Sequence, residues 1–159
     1  MALNSAQLQT LKTAILADQT ALAFYENGDL SGLADYLNAD AAPAFVIWRD
    51  NVSQDEIMQN GFDWVRVDNL SVGKARIWDW LFKNQAASIN PSKVNVRAGI
   101  DEVWKGTAAD LAVRAAVYTH CKRSASRFEK VFAAGVGTSD NPATAALVGP
   151  ISYTELIGL

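Results

Sequence analysis

The sequence is poor in the residues that most often carry chemistry. Its only cysteine is Cys121 and its only histidine is His120. A single cysteine excludes an internal disulfide framework and cannot build a thiolate zinc cluster within one chain. A histidine metal site would need carboxylates at ligand spacing, and the neighbours Thr119 and Lys122 supply none. We therefore predict no metal, no cofactor and no redox chemistry.

Pairs of reactive side chains at useful spacing are also scarce. Neighbouring positions of a helix point about 100 degrees apart, so His120 would not act as the base for Cys121. Asp55 and Glu56 are likewise adjacent and fit a helix start better than an acid–base pair. The glycines at positions 135 and 137 lack the downstream lysine and hydroxyl of a phosphate-binding loop. We do not expect an enzyme.

Long apolar runs are missing too. The uncharged stretches are too short, or too rich in Ala, Ser, Gly and Asn, to span a bilayer, and no leader pattern opens the chain. We expect no membrane contact and synthesis in the cytoplasm. Half of the 159 residues are hydrophobic, which suffices for one domain that buries roughly two-thirds of its unfolded surface. A pI near 5.1 argues against binding duplex DNA by overall charge.

Charge is divided along the chain. Residues 1–70 hold ten acidic and three basic side chains, a net of −7, whereas residues 71–159 hold seven acidic and eleven basic, a net of +4. If the two halves lie on different faces, the acidic face of one copy complements the basic face of the next, as head-to-tail assembly requires. Ordinary solvated charge is the alternative explanation.

Helical periodicity extends over most of the sequence. The spacing of Leu8, Leu11 and Ile15 predicts a first helix, and further helix starts are indicated by caps or capping boxes. The apolar segment from Ala41 to Asp50 has no helical period and predicts an extended crossing or one short strand. We therefore predict an all-α fold, a multi-helical bundle over residues 1–135. The helix starts are predicted at Ser5, Asp29, Ser53, Ser71, Asn90-Pro91-Ser92 and Thr107, at either Ser124 or Ser126, and at Ser152.

The composition changes after Gly135. Residues 136–159 hold little charge and little side-chain bulk, and they predict a flexible C-terminal arm. A capping box at Ser152 and Glu155 predicts a last helical turn, which carries apolar and aromatic side chains. These side chains either dock on a neighbouring subunit or fold back on the chain's own core. They are Tyr153, Leu156, Ile157 and Leu159.

The most distinctive charge feature is the basic cluster of Lys122, Arg123, Arg127 and Lys130. The last three share a stripe if one helix runs through them. This stripe is a solvated face, a phosphate or DNA contact, or a contact with an acidic neighbour. The acidic residues that would complement it are Asp50, Asp55, Glu56 and Asp63.

Five tryptophans are present, and two of them share one predicted helix. Core packing is the first expectation for all five. Trp78 and Trp80 cannot both face the same side of a helix, so we expect one of them at a rim or an interface.

The order of several short motifs resembles a known group of proteins. Trp48-Arg49, Ile89-Asn90-Pro91-Ser92 with Asn95-Val96-Arg97, and Ser126-Arg127-Phe128-Glu129-Lys130 precede Gly135-Val136-Gly137-Thr138 and an apolar tail. This order is similar to that in small helical proteins of tailed bacteriophages that act in virion morphogenesis, most closely the head-to-tail connector or neck type. The similarity runs over most of the chain. One departure is Asp18-Gln19, where an Asp-Pro step is expected.

The resemblance implies a structural protein of the virion and no catalytic residue. The expected function is a ring-forming connector beneath the portal, whose partners are further copies of itself and the portal, tail or other neck proteins. DNA contact would be incidental. A tail or capsid-surface component is a second reading. The rival from another class is a small DNA- or partner-binding regulator that uses the stripe from Lys122 to Lys130.

Overall fold

The computed structural model describes residues 3–59, 62–83 and 87–159. Within these ranges the chain forms ten helices and six strands of two or three residues. The fold divides into two compact units. The two ends of the chain, Met1–Ile47 and Ser124–Leu159, form unit 1, and the middle, Trp48–Arg123, forms unit 2.

Unit 1 is built mainly from helices. They are α1 (Ser5–Ala17), α2 (Gln19–Glu26), α3 (Leu30–Asn38), and, after unit 2, α9 (Arg127–Val131) and α10 (Tyr153–Leu156). Two short strands, β5 (Ala133–Ala134) and β6 (Thr144–Ala145), pair antiparallel. Strands β1 (Val46–Trp48) and β4 (Lys122–Ser124) lie where the chain passes from one unit to the other.

Unit 2 contains five helices and one strand pair. The elements are β2 (Val52–Ser53), α4 (Gln54–Ile57), α5 (Trp64–Asp68), α6 (Val72–Lys83), β3 (Ser88–Ile89), α7 (Val94–Val103) and α8 (Ala108–His120). Strands β2 and β3 are antiparallel, with Val52 opposite Ile89.

Side chains that bond to free backbone N–H groups set most of the helix starts. The predicted capping boxes at Ser53 and Ser152 are confirmed, and so are the predicted helix starts at Asp29 and at Thr107 with Asp110. Of the two candidates for the next start, Ser124 and Ser126, it is Ser126 that caps α9, in a box with Glu129. Helix α1 starts one residue earlier than predicted, because Asn4 and Gln7 form its capping box instead of Ser5.

One predicted helix start is wrong. Helix α7 begins at Val94, after the Asn90-Pro91-Ser92 signal. The side-chain oxygen of Asn90 accepts hydrogen bonds from the backbone N–H and the hydroxyl of Ser92. This turn keeps Pro91, Ser92 and Lys93 out of helical geometry. Asparagine side chains compete with helical hydrogen bonds in this way.

The prediction of an all-α fold is wrong. Antiparallel strand pairs in both units make the fold mixed α and β. A strand of two residues is too short to produce a recognisable alternation of apolar and polar side chains. Each pair joins residues ten or more positions apart, so only the tertiary structure reveals them. The predicted extended segment does contain a strand, β1.

The core of unit 1 is aliphatic and includes the end of the chain. Leu11, Ile15 and Leu33 from the N-terminal helices are buried together with Phe128 and Leu156. This packing combines helices from both ends of the sequence.

The C-terminal segment is not a flexible arm in this structure. The Asn38 side chain donates to the backbone oxygen of Ile151 and accepts from its N–H, each at 2.8 Å. Ile151 and Leu156 are both buried, which corresponds to the fold-back alternative. The domain boundary at residue 135 stays a prediction.

The core of unit 2 is aromatic. The Trp78 ring lies 5.4 Å from that of Trp104 and 5.0 Å from that of Phe82, and both contacts are nearly perpendicular. Such edge-to-face contacts stabilise a core beyond the apolar area that they bury. Trp78 and Phe82 lie in α6 and Trp104 directly follows α7, so the cluster fixes these two helices against each other.

An ion pair ties α5 to α8 within unit 2. Arg66 binds the carboxylate of Asp110, which also closes the capping box with Thr107. The hydrogen bond from Arg66, followed by those with Thr107, lowers the pKa of Asp110 to about 2. Folding therefore favours the ionised form of this carboxyl.

This pair predicts a pH-dependent loss of stability. Asp110 contributes fully above its ordinary pKa of 3.8, and the contribution is lost as the pH falls toward 2. We expect Asp110→Asn to unfold at lower urea than the natural protein at pH 5, and the difference between them to shrink between pH 3.8 and pH 2. Urea unfolding at several pH values measures this difference. A constant difference over that range would contradict the assignment.

Candidate functional site

The only histidine and the only cysteine of the sequence are adjacent at the end of α8. Cys121 is buried after the end of α8, and burial raises the pKa of its thiol to about 12. His120 ends the same helix, and its backbone oxygen accepts a hydrogen bond from Arg49. The ranges that the structure describes contain no cluster of three or more His, Cys, Asp or Glu side chains arranged to hold a metal. None of the described helices combines the length and apolar character needed to cross a membrane.

The predicted basic stripe is divided. Lys122 and Arg123 lie in strand β4, and Ser126 starts a new helix that carries Arg127 and Lys130. The condition for a shared stripe, one continuous helix, is therefore not met. Lys122 and Arg123 belong to unit 2, whereas Arg127 and Lys130 belong to unit 1.

The predicted acidic residues all lie in unit 2, in or before its first two helices. Asp55 and Glu56 occupy the first turn of α4, and Asp63 caps α5 by accepting from the N–H of Arg66. Asp50 is exposed in the turn before β2. Glu56 is the most engaged of them, since it pairs with Arg49 at 2.8 Å and closes the α4 capping box.

The predicted C-terminal interface residues point in different directions. Leu156 is buried in unit 1, and Leu159 packs partly against the same core. Tyr153 and Ile157 are exposed. Of these four apolar or aromatic side chains, only Tyr153 and Ile157 have most of their surface exposed and available for contact with another molecule.

The two tryptophans of α6 face opposite ways, which confirms the expectation from helix geometry. Trp78 is 3% exposed and packs in the core, whereas Trp80 is 59% exposed. The outer face of α6 also carries Val72, which is 76% exposed. Around these two apolar side chains lie Arg76, Asp79 and Lys83, all at helical spacing on the same side.

This outer face has the composition of an interface. Tryptophan and arginine are the residues most enriched among those that contribute strongly to binding between proteins. The sequence predicted that one tryptophan would be exposed, but not that Val72 and Arg76 would accompany it. The sequence signal for this shared face is spacing, because Arg76 lies four residues and Val72 eight residues before Trp80. We call Val72, Arg76, Asp79, Trp80 and Lys83 the α6 outer face.

Two of the segments that carry the phage resemblance, Trp48-Arg49 and Ile89 to Arg97, meet in unit 2 around Arg49, whereas the later segments belong to unit 1. The backbone N–H of Arg49 donates to Cys121, and its backbone oxygen accepts from the N–H of Ser92. Its guanidinium donates to Glu56 at 2.8 Å and to the His120 oxygen at 3.1 Å. One residue thus joins four stretches of chain.

The neighbouring Trp48 extends this junction. The guanidinium of Arg97 lies 4.8 Å from the centre of the Trp48 ring and donates to the backbone oxygens of Pro91 and Ser92. The Tyr118 ring contacts Trp48 edge-on, and its hydroxyl donates to Asp101. These motif residues therefore hold unit 2 together and carry no reactive group.

Comparison of the chain with models of protein families, with curated proteins and with solved structures produced no match.

The junction predicts a specific cost for losing Arg49. Arg49→Ala removes the cation that pairs with Glu56 and the side-chain donor to the His120 oxygen, while the Ser53 hydrogen bonds to Glu56 remain. We expect a loss of about 1–2 kcal/mol in the free energy of unfolding. Arg114→Ala is the matched control, because Arg114 makes only a 3.4 Å ion pair with the half-exposed Asp101, and we expect it to cost less than about 0.5 kcal/mol. Urea unfolding at neutral pH compares them. Equal costs would show that Arg49 contributes no more than a surface ion pair.

Proposed function

We propose that this chain is a structural virion protein of a tailed bacteriophage, a ring-forming subunit of the head-tail connector that joins the portal to the tail. Its partners would be further copies of itself and the portal, tail or other neck proteins. The observation that carries the proposal is the α6 outer face, where a tryptophan and a valine stay exposed on a helix whose other side holds the buried Trp78 and Phe82. Subunits of a permanent assembly need such surfaces, since association is stabilised largely by burying aromatic and apolar side chains.

Other exposed side chains of unit 2 support a protein with extensive contacts. Trp64 is 58% exposed on α5, and Val94 and Leu111 are exposed on α7 and α8. Scattered single apolar side chains are ordinary on protein surfaces. Two tryptophans with more than half of their surface in solvent are not, because large aromatic side chains are usually covered.

The role of the motif residues supports the same class of protein. Trp48, Arg49 and Arg97 act as structural links within unit 2, as a rigid building block requires. The thiol of Cys121, which would be the nucleophile of an enzyme, is buried with a raised pKa. The single helical stripe expected for the DNA-binding alternative is not formed, because Lys122 and Arg123 lie in a strand and Arg127 and Lys130 in a helix.

Cryo-electron microscopy of the tailed particles whose genome encodes this chain tests the proposal directly. We expect density for the chain as a symmetric ring between head and tail. Density on the capsid surface or along the tail would show that the chain is a virion protein at another position than the connector. Absence of the chain from purified particles would reject the proposal.

Substitution of the two α6 tryptophans separates assembly from folding. Trp80→Ala should change the free energy of unfolding by less than about 0.5 kcal/mol, because the side chain is exposed. Trp78→Ala should cost about 3–5 kcal/mol through the cavity that it leaves. We expect Trp80→Ala to fold normally but to be lost from particles, as measured by mass spectrometry after complementation. Trp80→Phe is the control that keeps an aromatic surface and should be retained. Normal incorporation of Trp80→Ala would exclude the α6 outer face as a contact.

A further inference from the structure

Unit 1 contains a cavity that the proposed function does not use. It has a volume of about 290 Å³ and lies among helices α1, α2, α3 and α9. Much of its wall is apolar and comes from all four helices, through Ala14, Ile15, Ala21, Leu37 and Val131. Ligand sites for drug-sized molecules span about 300–1,000 Å³, so this cavity is suited to a small molecule.

One polar side of the cavity is already satisfied. The carboxylate of Asp18 accepts hydrogen bonds from the N–H groups of Thr20 and Ala21 and from the hydroxyl of Tyr36, at 2.9 to 3.1 Å. Burial alone would raise the pKa of Asp18, but these hydrogen bonds and the nearby charge of Arg127 lower it. Asp18 is therefore an anion held in place by hydrogen bonds from three donors.

The opposite polar side carries two cations from one face of α9. Arg127 stacks on the Tyr36 ring at 4.3 Å and donates to the Tyr36 backbone oxygen at 3.3 Å. Lys130 lies one turn further along, with its ammonium 5.5 Å from the centre of the Phe45 ring. Among the described residues, neither side chain has a carboxylate within ion-pair distance.

The charges at the cavity do not cancel. The negative charge of Asp18 balances the positive charge of Arg127. The ammonium of Lys130 therefore leaves one net positive charge among the side chains that line the cavity, beside its apolar wall. A ligand that fills the cavity and neutralises this charge must combine an apolar group with a single negative charge. The planar guanidinium of Arg127 has donors left for a carboxylate, which it matches in geometry.

We propose that this cavity binds a small amphipathic monocarboxylate, with its apolar group against Ile15, Ala21 and Val131 and its carboxylate at Arg127 and Lys130. The site lies within unit 1 and is independent of the α6 outer face. It would exist whether or not the chain forms a connector ring.

The probe that tests the site is isocaproate, which joins a branched aliphatic group to one carboxylate. Two further compounds separate its features: isocaproamide keeps the shape without the charge, and acetate keeps the charge without the aliphatic group. Titration of the full chain is followed by heteronuclear NMR. We expect isocaproate to saturate the amide shifts of Ala21 and Val131 at millimolar concentration, and the other two compounds to bind at least about fivefold more weakly.

Two substitutions test the charge and the cavity separately. Lys130→Gln should weaken isocaproate binding by about fivefold through the lost charge. Lys12→Gln is the matched control, since Lys12 belongs to the same unit and also lies 5.5 Å from an aromatic ring, that of Tyr25, and it should leave binding unchanged. Ala14→Leu should abolish binding by filling the cavity, whereas Ala6→Leu adds the same bulk on the exposed side of α1 and should have no effect.

Several results would overturn the proposal. The first is an absence of saturable shifts with isocaproate. The second is equal binding of isocaproamide, which would show an apolar groove without a carboxylate site. The third is equal weakening by Lys130→Gln and Lys12→Gln, which would show a general effect of net charge. Amide spectra of each variant without ligand establish that it is folded before it is compared.

Discussion

Unit 2 depends on one guanidinium placed at the end of a helix. The last carbonyl groups of α8 have no partners within the helix, and Arg49 supplies a cationic donor to the His120 oxygen. The same side chain binds Glu56, whose carboxylate closes the capping box of α4. The end of one helix and the start of another are therefore stabilised by a single chain of hydrogen bonds. Because the backbone of Arg49 also bonds to Cys121 and Ser92, the loop before α7 is held at the same place.

The aromatic core of unit 2 has a consequence for α6. With Trp78 and Phe82 packed inward against Trp104, the helix cannot rotate to cover its other side. Trp80 lies about 200 degrees further round the helix than Trp78 and must therefore face outward. Its exposure follows from the core and is not a local irregularity. A surface fixed in this way needs no rearrangement to bind, which lowers the entropy lost on association.

The parts of the fold that were predictable from sequence are those whose information lies within about four residues. The helix starts at Ser53, Thr107 and Ser152 were predictable because each capping residue and its partner are three positions apart in sequence. The strand pairs were missed because their partners are distant in sequence and each strand is too short to show a periodic pattern.

The basic stripe shows how two predictions can conflict. A cap at Ser126 indicates a new helix start there, which contradicts one continuous helix from Arg123 to Lys130. Helix geometry predicted that Trp78 and Trp80 would diverge, but the contact with Trp104 decides which one is buried. The cavity at Arg127 was not predictable, since four separated helices form it.

Charge has to be read from the units and not from the halves of the sequence. Unit 1 has eight acidic and three basic side chains, a net of −5, and unit 2 has nine acidic and eleven basic, a net of +2. The acidic residues expected to meet the basic cluster fold in the same unit as Lys122 and Arg123. Two of the three cations of unit 1, Arg127 and Lys130, line its cavity. Exposed charges are screened beyond about 8 Å at physiological ionic strength, whereas partly buried pairs are screened less. The local charge at α9 therefore determines what binds there, although the surrounding unit is acidic and slows the approach of anions.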